Sequence, residues 1–232
     1  MEHPSTQHLR VAIDAATAVS ALLRIPDSAW AAYVFAHGAG AGMRHGFMAS
    51  FANGLAERGI ATLRYQFPYM EQGSKRPDLP KMAHATVRAA VAEVGRQLHG
   101  LPLFAGGKSY GGRMTSQAQA SAPLPGVRGL VFVGFPLHPA GRPSDERAQH
   151  LFAVDRPLLF LQGTRDELAA LELLQPLVQR LGERATLALF EDADHSFHVR
   201  ARSGRTDAQT LAAMLDALAG WARDRIDDAA GS

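Results

Sequence analysis

Residues 103–113 read Leu103-Phe104-Ala105-Gly106-Gly107-Lys108-Ser109-Tyr110-Gly111-Gly112-Arg113. A short apolar run suited to a buried strand breaks into glycines around one serine, and a helical pattern follows over about 110–120. Gly107-Lys108-Ser109-Tyr110-Gly111 fits G-x-S-x-G between a strand and a helix, the nucleophile-elbow arrangement. The spacing has a steric reason. A serine on so sharp a turn has a strained backbone, and side chains two positions to either side would collide. Gly107 and Gly111 have none, and Gly112 lets the helix lie close to the sheet. Ser109 is therefore the candidate nucleophile, and the helix N-terminus behind it favours negative charge developing there.

Outward from this turn the chain alternates. Strand-like runs occupy 9–13, 19–25 and 30–36, with a helical stretch at 46–58 and a strand at 60–65. A longer helical pattern covers 81–98, and 102–105 is the strand entering the serine turn. Further strands are expected at 129–133, 157–162 and 185–190, with helices at 168–181 and 206–225. Three strands without helices, then strands and helices in turn, predict an α/β fold: a mostly parallel central sheet flanked by helices on both faces, with an antiparallel N-terminal start. No repeat or linker divides the 232 residues, so one domain over 1–232 is expected. The irregular segment 135–156 is too short for a large lid, which leaves any site on this sheet open.

A serine hydroxyl is a weak nucleophile until a histidine takes its proton and a carboxylate fixes that histidine's tautomer. Such chains supply the groups in the order Ser, acid, His, on loops at the C-terminal edge of the sheet. Asp166 follows the apolar strand at 157–162; its bland alternative is to cap the next helix. Asp155 precedes that strand and belongs to the opposite edge, and Glu167 is a weaker rival. His195, after the last expected strand, is the candidate base, with His198 its nearest competitor. Asp192, Asp194, His195 and His198 match no strong metal-ligand spacing, so no metal is expected. The oxyanion hole should combine the N–H of Tyr110 with that of Ala39, or alternatively Gly40, in the glycine-rich loop after the third strand.

Other readings of these glycines fail. A phosphate loop ending in Gly107-Lys108-Ser109 would need glycine where Pro102 stands. The run from His37 to Gly42 misses G-x-G-x-x-G in both registers, reaching Met43 or His45, and the next strand ends at Arg64 rather than an acid. A balance of 24 basic against 22 acidic residues, without a long basic run, gives no footprint for nucleic acid. The absence of cysteine removes disulfides and thiol chemistry. No signal region or 18-residue apolar run is present, so a cytoplasmic protein without membrane contact is expected. Nothing bears on oligomeric state.

Five segments resemble the α/β-hydrolase superfamily on its small dienelactone-hydrolase-like side: HGAGAG (37–42), RYQFPYME (64–71), GGKSYGGRM (106–114), GFPLHP (134–139), and the pair GTRD with DADHSF. More narrowly, they resemble compact bacterial relatives of the hydrolase-like subunit of the NSL histone-acetyltransferase complex. The resemblance implies the same triad, Ser109, Asp166 and His195. It also implies that the segments holding Phe67, Tyr69 and His138 border the site, and His37 joins these as an expected substrate-binding residue, its side chain expected to brace the loop rather than do chemistry. The expected function is a serine esterase acting on small acyl esters without cofactor. A non-catalytic scaffold and a small peptidase are the rivals. Lys108 and Arg113, flanking the elbow, could meet an anionic substrate but are expected to point outward into solvent.

Overall fold

The computed structural model describes residues 6–230. Its strands are β1 (Thr6–Ala12), β2 (Ala18–Arg24), β3 (Ala31–Ala36), β4 (Ile60–Tyr65), β5 (Leu103–Lys108), β6 (Val127–Val133), β7 (Leu158–Gly163) and β8 (Ala185–Phe190). The helices are α1 (Gly46–Glu57), α2 (Pro68–Glu71), α3 (Pro80–Gln97), α4 (Tyr110–Ser121), α5 (Leu171–Leu181) and α6 (Asp207–Ala230).

All eight strands join one sheet in the order β1-β2-β4-β3-β5-β6-β7-β8. β1 pairs with β2, and β2 with β4, antiparallel, and the remaining pairs are parallel. The expected antiparallel start and parallel body are both present.

Alternation along the central strands explains why both faces are covered. In β3, Ala32, Val34 and Ala36 pack into one buried cluster with residues of α3, α4 and α5. Ala31, Tyr33 and Phe35 enter the other, with Phe51 of α1 and Met214, Leu218 and Trp221 of α6. A strand buried on both sides must read as continuous hydrophobic sequence, as β3 and β7 do.

The order of the strands decides where a site can form. After β3 the chain crosses through α1 to β4; after β5 it crosses through α4 to β6, on the other side. The connections part between β3 and β5, leaving a crevice at the strands' C-terminal ends, where ligands of open α/β sheets bind. Ser109 stands there. The β6–β7 connection contributes one 3-10 helix, Glu146–Ala153, anchored by buried Ala148 and Leu151. No described helix is long and apolar enough to cross a membrane.

Candidate active site

Ser109 joins β5 to α4 with φ 50° and ψ −116°, a conformation in which a residue with a Cβ is strained. A Cβ on Gly107 would lie 2.5 Å from the Ala36 carbonyl oxygen, and one on Gly111 would lie 2.6 Å from both the Ala36 and the His37 carbonyl oxygens. Backbone cannot step aside as a flexible side chain can, so the glycines permit the serine turn to press against the end of β3.

The serine is the first link of a hydrogen-bonded line. Its Oγ is 2.9 Å from His195 Nε2, and His195 Nδ1 is 2.7 Å from Asp166 Oδ2. The carboxylate requires the imidazole proton on Nδ1, which leaves Nε2 to accept from the serine. Asp166 Oδ1 accepts from the Leu168 N–H at 2.8 Å. The two readings of Asp166 thus divide between its oxygens: one closes the turn after β7, the other faces His195. That turn runs through residues 164–170 before α5 begins at Leu171, so the helix expected from 168 starts three residues later. The rivals lie elsewhere. Asp155 is exposed at the other end of β7, near Gln119 and Arg156. Glu167 is exposed, and His198 pairs with Asp207, which holds its imidazole above the usual range.

The acid and histidine loops are bolted together. Thr164 and Arg165 donate backbone N–H groups to the Phe190 and Ala193 carbonyls, and Arg165 Nη1 reaches the Asp192 carbonyl. A Cβ on Gly163 would stand 2.3 Å from the Ala193 oxygen, so only glycine allows this approach. Asp194 Oδ1 accepts from the N–H groups of Ser196 and His198, shaping the turn that presents His195.

Among the described residues, the N–H groups of Ala39 and Tyr110 have no hydrogen-bond acceptor, whereas Gly40 N–H donates to the Tyr69 hydroxyl at 3.3 Å. This distinguishes Ala39 from its alternative as a free donor beside Ser109. A cleft of about 400 Å³ on one side of the serine is walled by Ala41, Phe47, Met48 and Lys108; another of about 450 Å³ on the other side is walled by Tyr110, Arg113, Met114, Pro136 and Arg147. Leu168 borders both.

Four residues expected at the substrate are placed behind the site instead. His37, Phe67, Tyr69 and His138 are between 0% and 3% exposed, and none lines either cleft. His37 accepts the Phe67 N–H at Nε2 (3.1 Å), and its Nδ1 meets the Gly38 carbonyl at 2.8 Å; burial pushes its pKa down to about 4. Its neutral ring clamps the loop carrying Ala39. His138 Nε2 accepts the Ala170 N–H at 2.9 Å, bracing the acid turn. Phe67 and Tyr69 pack edge-on against the Tyr110 ring.

Lys108 and Arg113 also depart from expectation, because neither is free in solvent. Lys108 Nζ donates to the His195 carbonyl and sits 5.3 Å and 6.0 Å from the ring centroids of Phe197 and Phe47. Enclosure pushes its ammonium down to about 8. Arg113 lies half-buried in the second cleft. One supporting residue was not singled out from the sequence. Gln162, fully buried at the end of β7, accepts the Phe135 N–H at 3.0 Å and donates to Asp166 Oδ2 at 2.5 Å. A lone amide closing an otherwise apolar strand was its signal, since a buried amide requires partners.

Residues 29–223 match a family model described as alpha/beta hydrolase domain. Among solved structures, a dienelactone hydrolase from Anabaena variabilis superposes with a TM-score of 0.77 at 21% identity, over 95% of this chain and 97% of that one. A serine hydrolase without a lid from Xanthomonas campestris gives 0.69 at 19% identity, over 96% and 94%. The esterase domain of a Rhodothermus marinus protein gives 0.71 at 18%, over 95% and 98%. What these structures share with this chain is the fold.

Proposed function

Because the chain belongs to the alpha/beta hydrolase domain family, we propose that it is a serine hydrolase of the carboxylesterase type, with Ser109 as nucleophile, His195 as base and acid, and Asp166 as orienting carboxylate. The observation that carries the reading is the unbroken line Ser109–His195–Asp166 at 2.9 Å and 2.7 Å, on a strained turn beside two unpaired N–H groups. Groups of these types at these separations are what acyl transfer requires.

Ser109 Oγ attacks the ester carbonyl carbon while its proton passes to His195 Nε2. Asp166 stays ionised and steadies the imidazolium through Nδ1–H. The oxyanion accepts from the Ala39 and Tyr110 N–H groups, as donors aimed at developing charge stabilise the transition state more than the ground state. On collapse the C–O bond breaks, and the departing alcohol takes the Nε2 proton. Water then attacks the acyl-enzyme, giving its proton to Nε2, and Ser109 is restored as the acid leaves. His37, Phe67, Tyr69 and His138 act from behind, fixing the loops, and no metal or organic cofactor enters the cycle. Two open clefts suit compact substrates rather than long lipids. The motif likeness to relatives of the NSL-complex subunit belongs to the same reading, as a kinship of sequence.

A fluorophosphonate probe tests it. Wild type should label and hydrolyse short p-nitrophenyl esters but not peptide amides, and Ser109→Ala and His195→Ala should do neither. A folded wild type that fails to label would overturn the proposal in favour of a scaffold role, while amide cleavage at comparable rates would make it a peptidase.

A further inference from the structure

The two clefts that meet at Ser109 differ in charge. The first is apolar in Ala41, Phe47 and Met48, and its one cation, Lys108, is engaged with the His195 carbonyl. The second holds two guanidinium groups, Arg113 from α4 and Arg147 from the 3-10 helix.

Neither arginine forms an ion pair or a side-chain hydrogen bond among the described residues, and Arg113 Nε is buried with no acceptor. Burial and the charge of Arg147 together hold Arg113 below its ordinary pKa. Unpaired buried donors cost free energy, and two like charges side by side add to it.

The surroundings do not relieve them. Asp78, the cleft's one carboxylate, is spent on the Tyr69 N–H, and burial raises its pKa with no arginine lowering it. Gln117 faces His84. His150, behind Arg113, is bonded to Ser116 and held near 4 by burial and by Arg113, so it stays neutral at pH 7. Beside Ser109, the remaining wall is Tyr110, whose hydroxyl is also buried without a partner among the described residues, with Ala39, Met114, Leu168 and three prolines.

Guanidinium forks match carboxylate and phosphate oxygens in pairs. We propose that the Arg113–Arg147 cleft is an anion subsite, and that the substrate is an ester whose two halves differ: an apolar part beside Phe47 and Met48, and a part bearing a carboxylate or phosphate between the arginines. This rests on the esterase reading for the chemistry but not for the binding. The anion can stand on the acyl half, as in the half-ester of a dicarboxylic acid, or on the alcohol half.

The test compares phenyl acetate with phenyl hemiglutarate, whose anion is on the acyl side, and with 4-carboxyphenyl acetate, whose anion is on the leaving side. At least one anionic ester should exceed phenyl acetate in kcat/KM by about 10- to 100-fold, mostly through KM, the worth of one or two charge-assisted hydrogen bonds. Arg113→Met and, separately, the half-exposed Arg147→Gln should shrink that ratio toward one. Binding is read independently by calorimetry on Ser109→Ala with glutarate, 4-hydroxybenzoate and phenyl phosphate. Saturable binding that Arg147→Gln weakens tenfold or more supports the subsite even in a protein that hydrolyses nothing, an outcome that would sink only the esterase reading. Hydrolysis of phenyl acetate without preference for either anionic ester, or no binding of any of the three anions, overturns it.

Discussion

Replacing Ser109 by glycine should make the protein more stable than replacing it by alanine. At φ 50° and ψ −116°, a residue with a Cβ carries backbone strain of about 1–3 kcal/mol. Alanine keeps the Cβ and the strain; glycine releases it. Both lose the hydroxyl and its 2.9 Å hydrogen bond to His195, so that term cancels between the two variants. Against the gain stands the freer unfolded chain of glycine, about 0.4–1 kcal/mol. The difference should be about 1 kcal/mol in favour of Ser109→Gly, or about 2–4 °C in Tm for a domain of this size. Urea and thermal unfolding of the two variants under one buffer measure it. A glycine variant equal to or less stable than the alanine variant would refute the claim that this turn holds strain. The comparison bears on function without a substrate, because strain held at one serine is most readily understood where that serine does chemistry.

Two further expectations concern the residues around it. Asp166→Asn should cut ester turnover by about 10⁴, because the asparagine amide can stabilise the wrong imidazole tautomer, whereas Asp155→Asn should leave it near wild type; the reverse pattern in steady-state assays would refute the assignment. His37 is neutral in the native state, with its pKa pushed from 6.5 down to about 4 by burial. The unfolded chain therefore takes up this proton first as pH falls, so the stability it contributes is complete above about pH 6.5 and is lost toward pH 4, at no more than about 1.4 kcal/mol per pH unit. His37→Gln should flatten that part of the urea midpoint's pH dependence, leaving a share from His150, also held near 4; an unchanged slope would count against it.

The elbow was legible in the sequence because its constraint is local. Glycines at 107 and 111 answer clashes with β3 backbone, and a G-x-S-x-G string after an apolar strand carries that information within five positions. The strand-like run that becomes β3 was legible for the same reason, as an unbroken apolar stretch, and so was the order of the candidate triad along the chain. What could not be read is side-chain direction across the sheet. His37, Phe67, Tyr69 and His138 sit in segments adjoining the site, yet all four turn inward, since loops at a sheet edge need buried anchors before they can hold a free N–H in place. Lys108 was misjudged by its type: a lysine beside an exposed serine suggests solvent, but the aromatic rings of Phe47 and Phe197 and the His195 carbonyl enclose it.

These misplaced residues share a physical task. An oxyanion donor must be unpaired in the resting protein, and an unpaired N–H does not hold its own loop. The loop carrying Ala39 is therefore fixed from its flanks: His37 bonds to Phe67 and Gly38, and Gly40 bonds to the Tyr69 hydroxyl. The histidine loop is treated alike, with Lys108 on the His195 carbonyl and Asp194 on the two N–H groups beyond it, leaving the imidazole free to face Ser109. Gln162 does the same for the acid, bonding one oxygen that also meets His195. Arg113 and Arg147 lack such an anchor. Around Ser109 most polar side chains are bonded to one another or hold a loop. Among the described residues the guanidiniums of Arg113 and Arg147 have no ion-pair or hydrogen-bond partner, and Arg113 Nε and the Tyr110 hydroxyl beside them are buried without one. This charged pair is the feature that points outward, to something the protein binds.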